Sequence, residues 1–183
     1  MTILGEGAYS YEELEDWGEL PDGWELKDVV DVVVDDRDRV YVFNRGGHPL
    51  IVFEQDGRFM RSWGDDLFTR PHGLTLAEDA ERGQVIYCVD DMGHWVGKFS
   101  LEGELLMQIG TRDQGAPKRS GQPFNQPTKV ALDPGSGDLY ISDGYGNARV
   151  HKYTAAGEHL FSWGDYGLDP GEFNFPHSVC TDS

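Results

Sequence analysis

Four short segments of this 183-residue chain end alike, and their spacing limits the fold more than any other feature. Glu15-Asp16-Trp17-Gly18, Arg61-Ser62-Trp63-Gly64, Met107-Gln108-Ile109-Gly110 and Phe161-Ser162-Trp163-Gly164 each close on an apolar residue and a glycine. From Gly18 to Gly64, Gly110 and Gly164 the ending returns at a nearly even interval. A second marker recurs between the endings: Val40-Tyr41-Val42-Phe43, Val85-Ile86-Tyr87-Cys88 and Leu139-Tyr140-Ile141-Ser142. A third follows it: Ile51-Val52-Phe53, Gly97-Lys98-Phe99 and His151-Lys152-Tyr153. A fourth opens each unit: Val30-Asp31-Val32-Val33, His72-Gly73-Leu74-Thr75, Thr128-Lys129-Val130-Ala131 and His177-Ser178-Val179-Cys180.

Each unit reads as four short strands joined by Gly/Asp turns. Four strands repeating with a period of roughly 40–50 residues is the pattern of a β-propeller blade. A blade is a twisted sheet with two apolar faces, so it is stable only when stacked on neighbours. A β-sandwich also spaces its strands evenly, but it does not explain four markers in one register. The spacing predicts an all-β chain with blades at about 28–64, 69–110 and 124–164. It also predicts a lone fourth strand at about 8–18 and the first strand of a further blade at 173–183. Three blades do not close a ring, since propellers have about four to eight. Unpaired edges at both ends favour association, and two copies completing one ring is the self-association this count suggests.

Composition narrows the partners. With 24 Gly and 9 Pro there is little room for long helices. No apolar run approaches the length of a membrane span, about 18 residues or more. The segment from Met1 to Asp16 holds Glu6, Glu12, Glu13 and Glu15 and no basic stretch, unlike a secretory signal. The formal charge of −18 repels phosphate backbones and anionic lipids, which argues against nucleic-acid and membrane partners. Cys88 and Cys180 are isolated and form no Cys-x-x-Cys pair, so a reduced, cytoplasmic protein is the expectation.

The segment Asp143-Gly144-Tyr145-Gly146-Asn147-Ala148-Arg149-Val150 resembles the signature of NHL repeats. With Phe43-Asn44-Arg45-Gly46-Gly47-His48, Pro71-His72-Gly73-Leu74, Gln126-Pro127-Thr128 and Pro176-His177-Ser178, it resembles peptidyl-α-hydroxyglycine α-amidating lyases. The resemblance covers most of residues 28–183. It implies a six-bladed propeller, of which this chain holds part. It also implies a zinc-dependent split of a peptidyl-α-hydroxyglycine into a peptide amide and glyoxylate. On that resemblance His72 and His177 are zinc ligands, Tyr145 is the catalytic tyrosine and Arg45 an active-site arginine. Val32 and Leu74 offer backbone carbonyls to a calcium ion. The family's third zinc histidine lies in a later Pro-His-Asp motif not found in residues 1–183. Gly146 stands where the animal enzymes have a cysteine.

Topology supports one site. His72 and His177 precede first strands, and Arg45 and Tyr145 follow second strands. First and second strands run antiparallel, so all four residues belong to one face. Histidine also recurs in every second blade at the inner-strand position, which in a six-bladed ring aims the rings at one axial point. Three such histidines suit a zinc with an open fourth position. The substrate expected is a small molecule or peptide. The alternative is a non-catalytic NHL propeller that binds protein or peptide on this face, because fold alone does not assign function. Asp90 and Asp143, after second strands, are expected to cap turns. Trp17, Trp63 and Trp163 are expected between blades.

Overall fold

The computed structural model describes residues 2–182. A two-stranded hairpin, β1 (Ile3–Leu4) and β2 (Tyr11–Glu12), precedes three four-stranded antiparallel sheets. The first sheet comprises β3 (Val29–Val34), β4 (Val40–Asn44), β5 (Leu50–Phe53) and β6 (Phe59–Trp63). The second comprises β7 (Pro71–Asp79), β8 (Gly83–Asp90), β9 (Trp95–Ser100) and β10 (Leu105–Ile109). The third comprises β11 (Lys129–Leu132), β12 (Leu139–Asp143), β13 (Arg149–Tyr153) and β14 (His159–Trp163). Each sheet pairs its strands in chain order, as hairpin follows hairpin.

Strand alternation explains the stacking. Successive residues of a strand point to opposite faces, and here both faces of the middle strands are apolar. Tyr41, Phe43, Leu50 and Val52 of the first blade form one cluster with Leu74, Ile86, Cys88, Trp95 and Phe99 of the second. The alternate residues Val42, Ile51 and Phe53 turn the other way, to Trp17, Leu20 and Trp24. In the second blade Val85, Tyr87 and Val89 face the third, packing with Val130, Leu139, Ile141 and Tyr153. All four residues of β5 are therefore buried, as in a sheet covered on both sides.

The tryptophan register holds between blades. Trp17 lies against the Gly57 turn of the first blade, and Trp63 against the Gly103 turn of the second. In the second blade Ile109 stands in that register, and it and Met107 together pack against Gly157 of the third. Trp163, at the corresponding position, is 37% exposed on the outer face of the third blade, edge-on to Tyr140.

The expected strands at the two ends are corrected. Residues 8–18 do not form a fourth strand: among the described residues Tyr11–Glu12 pairs with Ile3–Leu4 and with no blade, and the segment is mostly exposed. Trp17 still fills the inter-blade position, donating its indole N–H to the Gln55 carbonyl, and Glu19 makes an isolated parallel bridge with Arg58. The packing role of the Trp-Gly ending thus survives without a ladder. A strand needs a neighbour for its backbone groups, and among the described residues β2 pairs with β1 and joins none of the three blades. At the other end, residues 174–182 form no strand, and Phe173 makes only an isolated bridge with Tyr166. This segment lies along β11, where Thr128 Oγ1 donates to Pro176 O and Thr181 Oγ1 to Leu132 O. Among the described residues it has no second strand to pair with. Ser183 lies outside the described residues.

Both cysteines are free, Cys88 buried and Cys180 exposed. Burial drives the Cys88 thiol well above its usual range, so it is an inert core residue.

Candidate active site

One residue at the end of each second strand positions the loops of this face. Asn44, Asp90 and Asp143 are all fully buried. Asp90 accepts hydrogen bonds from the backbone N–H groups of Thr69, Arg70 and Gly93, and from the Trp95 indole. Asp143 accepts from the Asn125 N–H and the Asn147 amide, and its Oδ2 lies 3.1 Å from His151 Nε2. Asn44 accepts from the Gly46 N–H at 2.7 Å and donates to the carbonyls of His48 and Pro49. These side chains cap the next turn. They also tie it to the chain entering the first strand, closely in the second and third blades and at 3.4 Å in the first, where the Lys27 N–H donates to Asn44 Oδ1.

Tyr145 follows Asp143 and sits between two glycines that close contacts require. A Cβ on Gly144 would collide with the Pro176 carbonyl oxygen, and one on Gly146 with Asn125 Oδ1. No side chain fits either gap. The loop therefore lies directly on the 176–177 segment, and that approach brings His177 to Tyr145.

Three of the predicted residues meet at one point. Tyr145 Oη lies 3.0 Å from His72 Nε2 and 2.6 Å from His177 Nε2. The two imidazole centroids are 4.6 Å apart. His72 is buried and holds its Nδ1 2.9 Å from the Thr128 carbonyl. A carbonyl only accepts, so Nδ1 carries the proton and Nε2 presents its lone pair to the site. Burial is the main cause that lowers the His72 pKa, with His177 and Arg45 adding repulsion against the Thr128 hydrogen bond and Asp91. The ring stays neutral, the form that ligates a metal. Proton counting then fixes the rest: Tyr145 O–H donates to His72 Nε2 and accepts from His177 Nε2–H.

Arg45 borders this group. It follows β4 and donates its Nε–H to the carbonyl of Pro71, the residue before His72. Arg70 and Asp91 belong here too, although neither stood out in the sequence. Arg70 forms a two-point pair with the fully buried Asp91 carboxylate. Its guanidinium carbon lies 5.9 Å from the Tyr145 ring centroid. The signal was positional: Arg70 precedes Pro71-His72, and Asp91 follows a second strand as Arg45 does.

The two imidazoles fit part of a zinc set: they lie 4.6 Å apart and converge on one oxygen. Among the described residues no group of three or more His, Cys, Asp and Glu is arranged to hold a metal. Of the two expected calcium positions, Val32 and Leu74, the Leu74 carbonyl fits poorly, because it already accepts a hydrogen bond from Lys129 Nζ at 2.7 Å.

Four-stranded blades stacked in this way, with the site at the inner-strand entrances, define a chain of β-propeller blades. The NHL repeat family model matches residues 124–153. The chain is 35% identical over 135 residues to peptidyl-alpha-hydroxyglycine alpha-amidating lyase 1 of Drosophila melanogaster, covering 67% of this chain and 23% of that protein. It is 32% identical over 152 residues to NHL repeat-containing protein 3 of Homo sapiens, covering 79% of this chain and 43% of that one. A catalytically inactive virginiamycin B lyase from Staphylococcus aureus shares the fold, with a TM-score of 0.53 at 15% identity over 79% of this chain and 43% of its own. The chain is thus built of propeller blades, carries an NHL repeat at residues 124–153, and has peptidyl-α-hydroxyglycine α-amidating lyases among its homologues. It spans less than half the length of these curated relatives.

Proposed function

We propose that His72, His177, Tyr145 and Arg45 form part of a zinc-dependent lyase site that splits a peptidyl-α-hydroxyglycine into a peptide amide and glyoxylate. The observation that carries this reading is the convergence of His72 Nε2 and His177 Nε2 on Tyr145 Oη. The two imidazoles are the residues that would hold zinc, and zinc would act there as a Lewis acid on an oxygen of the substrate. The His72 tautomer, held by Thr128, keeps that nitrogen free of a proton. Tyr145 Oη, acting as the base, takes the proton of the substrate hydroxyl as that carbon forms its carbonyl. The C–N bond breaks, its electron pair stays with the departing amide nitrogen, and Tyr145 returns the proton to that nitrogen. Arg45 balances negative charge developing on the substrate.

Zinc analysis of chelator-treated, reloaded protein tests the ligands. His72→Ala and His177→Ala are each expected to weaken zinc retention by more than the roughly 10–100-fold that losing a supporting group costs. Zinc retention that is equal in wild type and both variants removes these histidines as ligands.

A second reading has its own support. No third ligand joins the histidine pair among the described residues, and NHL repeat-containing protein 3 is a relative of comparable similarity. On that reading the same face binds a protein or peptide without catalysis. Zinc-loaded protein that binds a peptidyl-α-hydroxyglycine and releases no glyoxylate favours it.

A further inference from the structure

We propose that the Lys129 ammonium is a built-in cation that takes the place of a bound divalent ion where the inner strands of the three blades meet. β3, β7 and β11 are the first strands of successive blades and pack side by side. Each contributes one partner: Asp31, Leu74 and Lys129. Lys129 Nζ donates to Asp31 Oδ2 at 2.5 Å and to the Leu74 carbonyl oxygen at 2.7 Å. Asp31 Oδ2 also accepts from the Leu74 N–H at 2.8 Å. A full positive charge thus faces a carboxylate and a peptide carbonyl, the hard oxygen donors that calcium prefers.

Ammonium and calcium exclude each other here. Calcium sits about 2.3–2.6 Å from its oxygens, so it would need the space that Nζ fills, and two cations at that range repel strongly. Calcium also takes roughly six to eight oxygens, whereas the ammonium needs only its three donors satisfied. The lysine stem is fitted to its path. A Cβ on Gly73 would stand 3.3 Å from Lys129 Cδ and would collide with the Thr128 carbonyl oxygen. The Lys129 and Asp31 side chains are both mostly buried, so solvent screens this pair less than a surface ion pair. One side chain therefore ties all three inner strands together with no metal supply. The inference is independent of the chemistry proposed for His72 and His177, since its readouts are calcium binding and melting temperature.

Calcium is titrated calorimetrically into chelator-treated protein, and melting is followed with and without millimolar calcium. Wild type is expected to give no saturable heat and no calcium-driven rise in Tm. Lys129→Gln frees both oxygens and leaves Asp31 unpaired, so its Tm is expected to fall by about 5 °C. Calcium should then raise the variant's Tm more than that of wild type. Saturable calcium binding by wild type overturns the proposal. So does a Lys129→Gln protein that melts like wild type, or one on which calcium acts no differently. The wild-type titration decides the matter even if Lys129→Gln does not fold.

Discussion

Replacing Tyr145 with phenylalanine is expected to cut turnover about 10²–10⁴-fold, the usual contribution of a general acid–base group. The substitution keeps the ring, which stands 6.5 Å centroid to centroid from Phe175 and within reach of the Arg70 guanidinium. It removes only Oη, and with it the hydrogen bonds to His72 Nε2 and His177 Nε2. Because His177 is exposed, water replaces that lost partner, but buried His72 loses the donor to its Nε2, so folding stability should fall by about 1–3 kcal/mol. Zinc retention should persist, since both imidazoles remain. The assay follows glyoxylate released from a peptidyl-α-hydroxyglycine by zinc-loaded full-length protein. A fall in kcat with KM little changed marks a group acting in the transition state. Unchanged turnover removes Tyr145 from the mechanism, and a parallel loss of zinc makes it a supporting residue.

The second large effect lies under the site. Asp90→Ala strips the acceptor from three backbone N–H groups and the Trp95 indole, at a carboxylate with no exposed surface. Each buried N–H donor left without its acceptor costs about 1–3 kcal/mol, and with some of the four rescued by water the loss is about 3–5 kcal/mol. At roughly 2–4 °C per kcal/mol for a chain of this size, the Tm should fall by about 10 °C. Asp90→Asn should recover about half of that loss, because it restores one accepting oxygen. The position is not interchangeable between blades. Asn44 serves in the first blade because its amide meets two carbonyls, those of His48 and Pro49. Asp90 meets only N–H donors, so an amide NH₂ there would face one of them. Equal urea midpoints for wild type and Asp90→Ala would show that the loops hold without this carboxylate.

The blades were legible because their signal is local and repeated. Val40–Phe43, Val85–Cys88 and Leu139–Ser142 carry the same alternation, and the ladder of each blade forms between segments adjacent in sequence. The Trp17-Gly18 ending misled for an instructive reason. The motif specifies packing against the next blade's turn, and Trp17 does that beside Gly57. A ladder needs backbone partners, which the motif does not encode. His72, Tyr145, Arg45 and His177 were readable because each sits at a fixed offset from a strand end. Lys129 and Asp31 were not: they stand on different blades, far apart in the chain. Nothing in either segment reveals how neighbouring inner strands are offset. Arg70 and Asp91 were missed for a similar reason, since their pairing spans the gap from the entering loop to the end of β8.

The buried carboxylates under the loops also affect how quickly this surface exchanges protons with water. Thr69, Arg70 and Asn125 precede their first strands and make no ladder, so as ordinary loop amides they would trade hydrogen for deuterium within the first moments of labelling. Each instead donates to Asp90 or Asp143, which no solvent reaches. Opening such an amide requires the whole clamp to release, at a free energy closer to that of a strand than of a loop. Deuterium uptake should therefore be slow at these three positions and fast at Leu14 and Asp16, where the chain is exposed. The face that presents Tyr145 and His72 is, on this timescale, a rigid rim rather than a set of mobile loops.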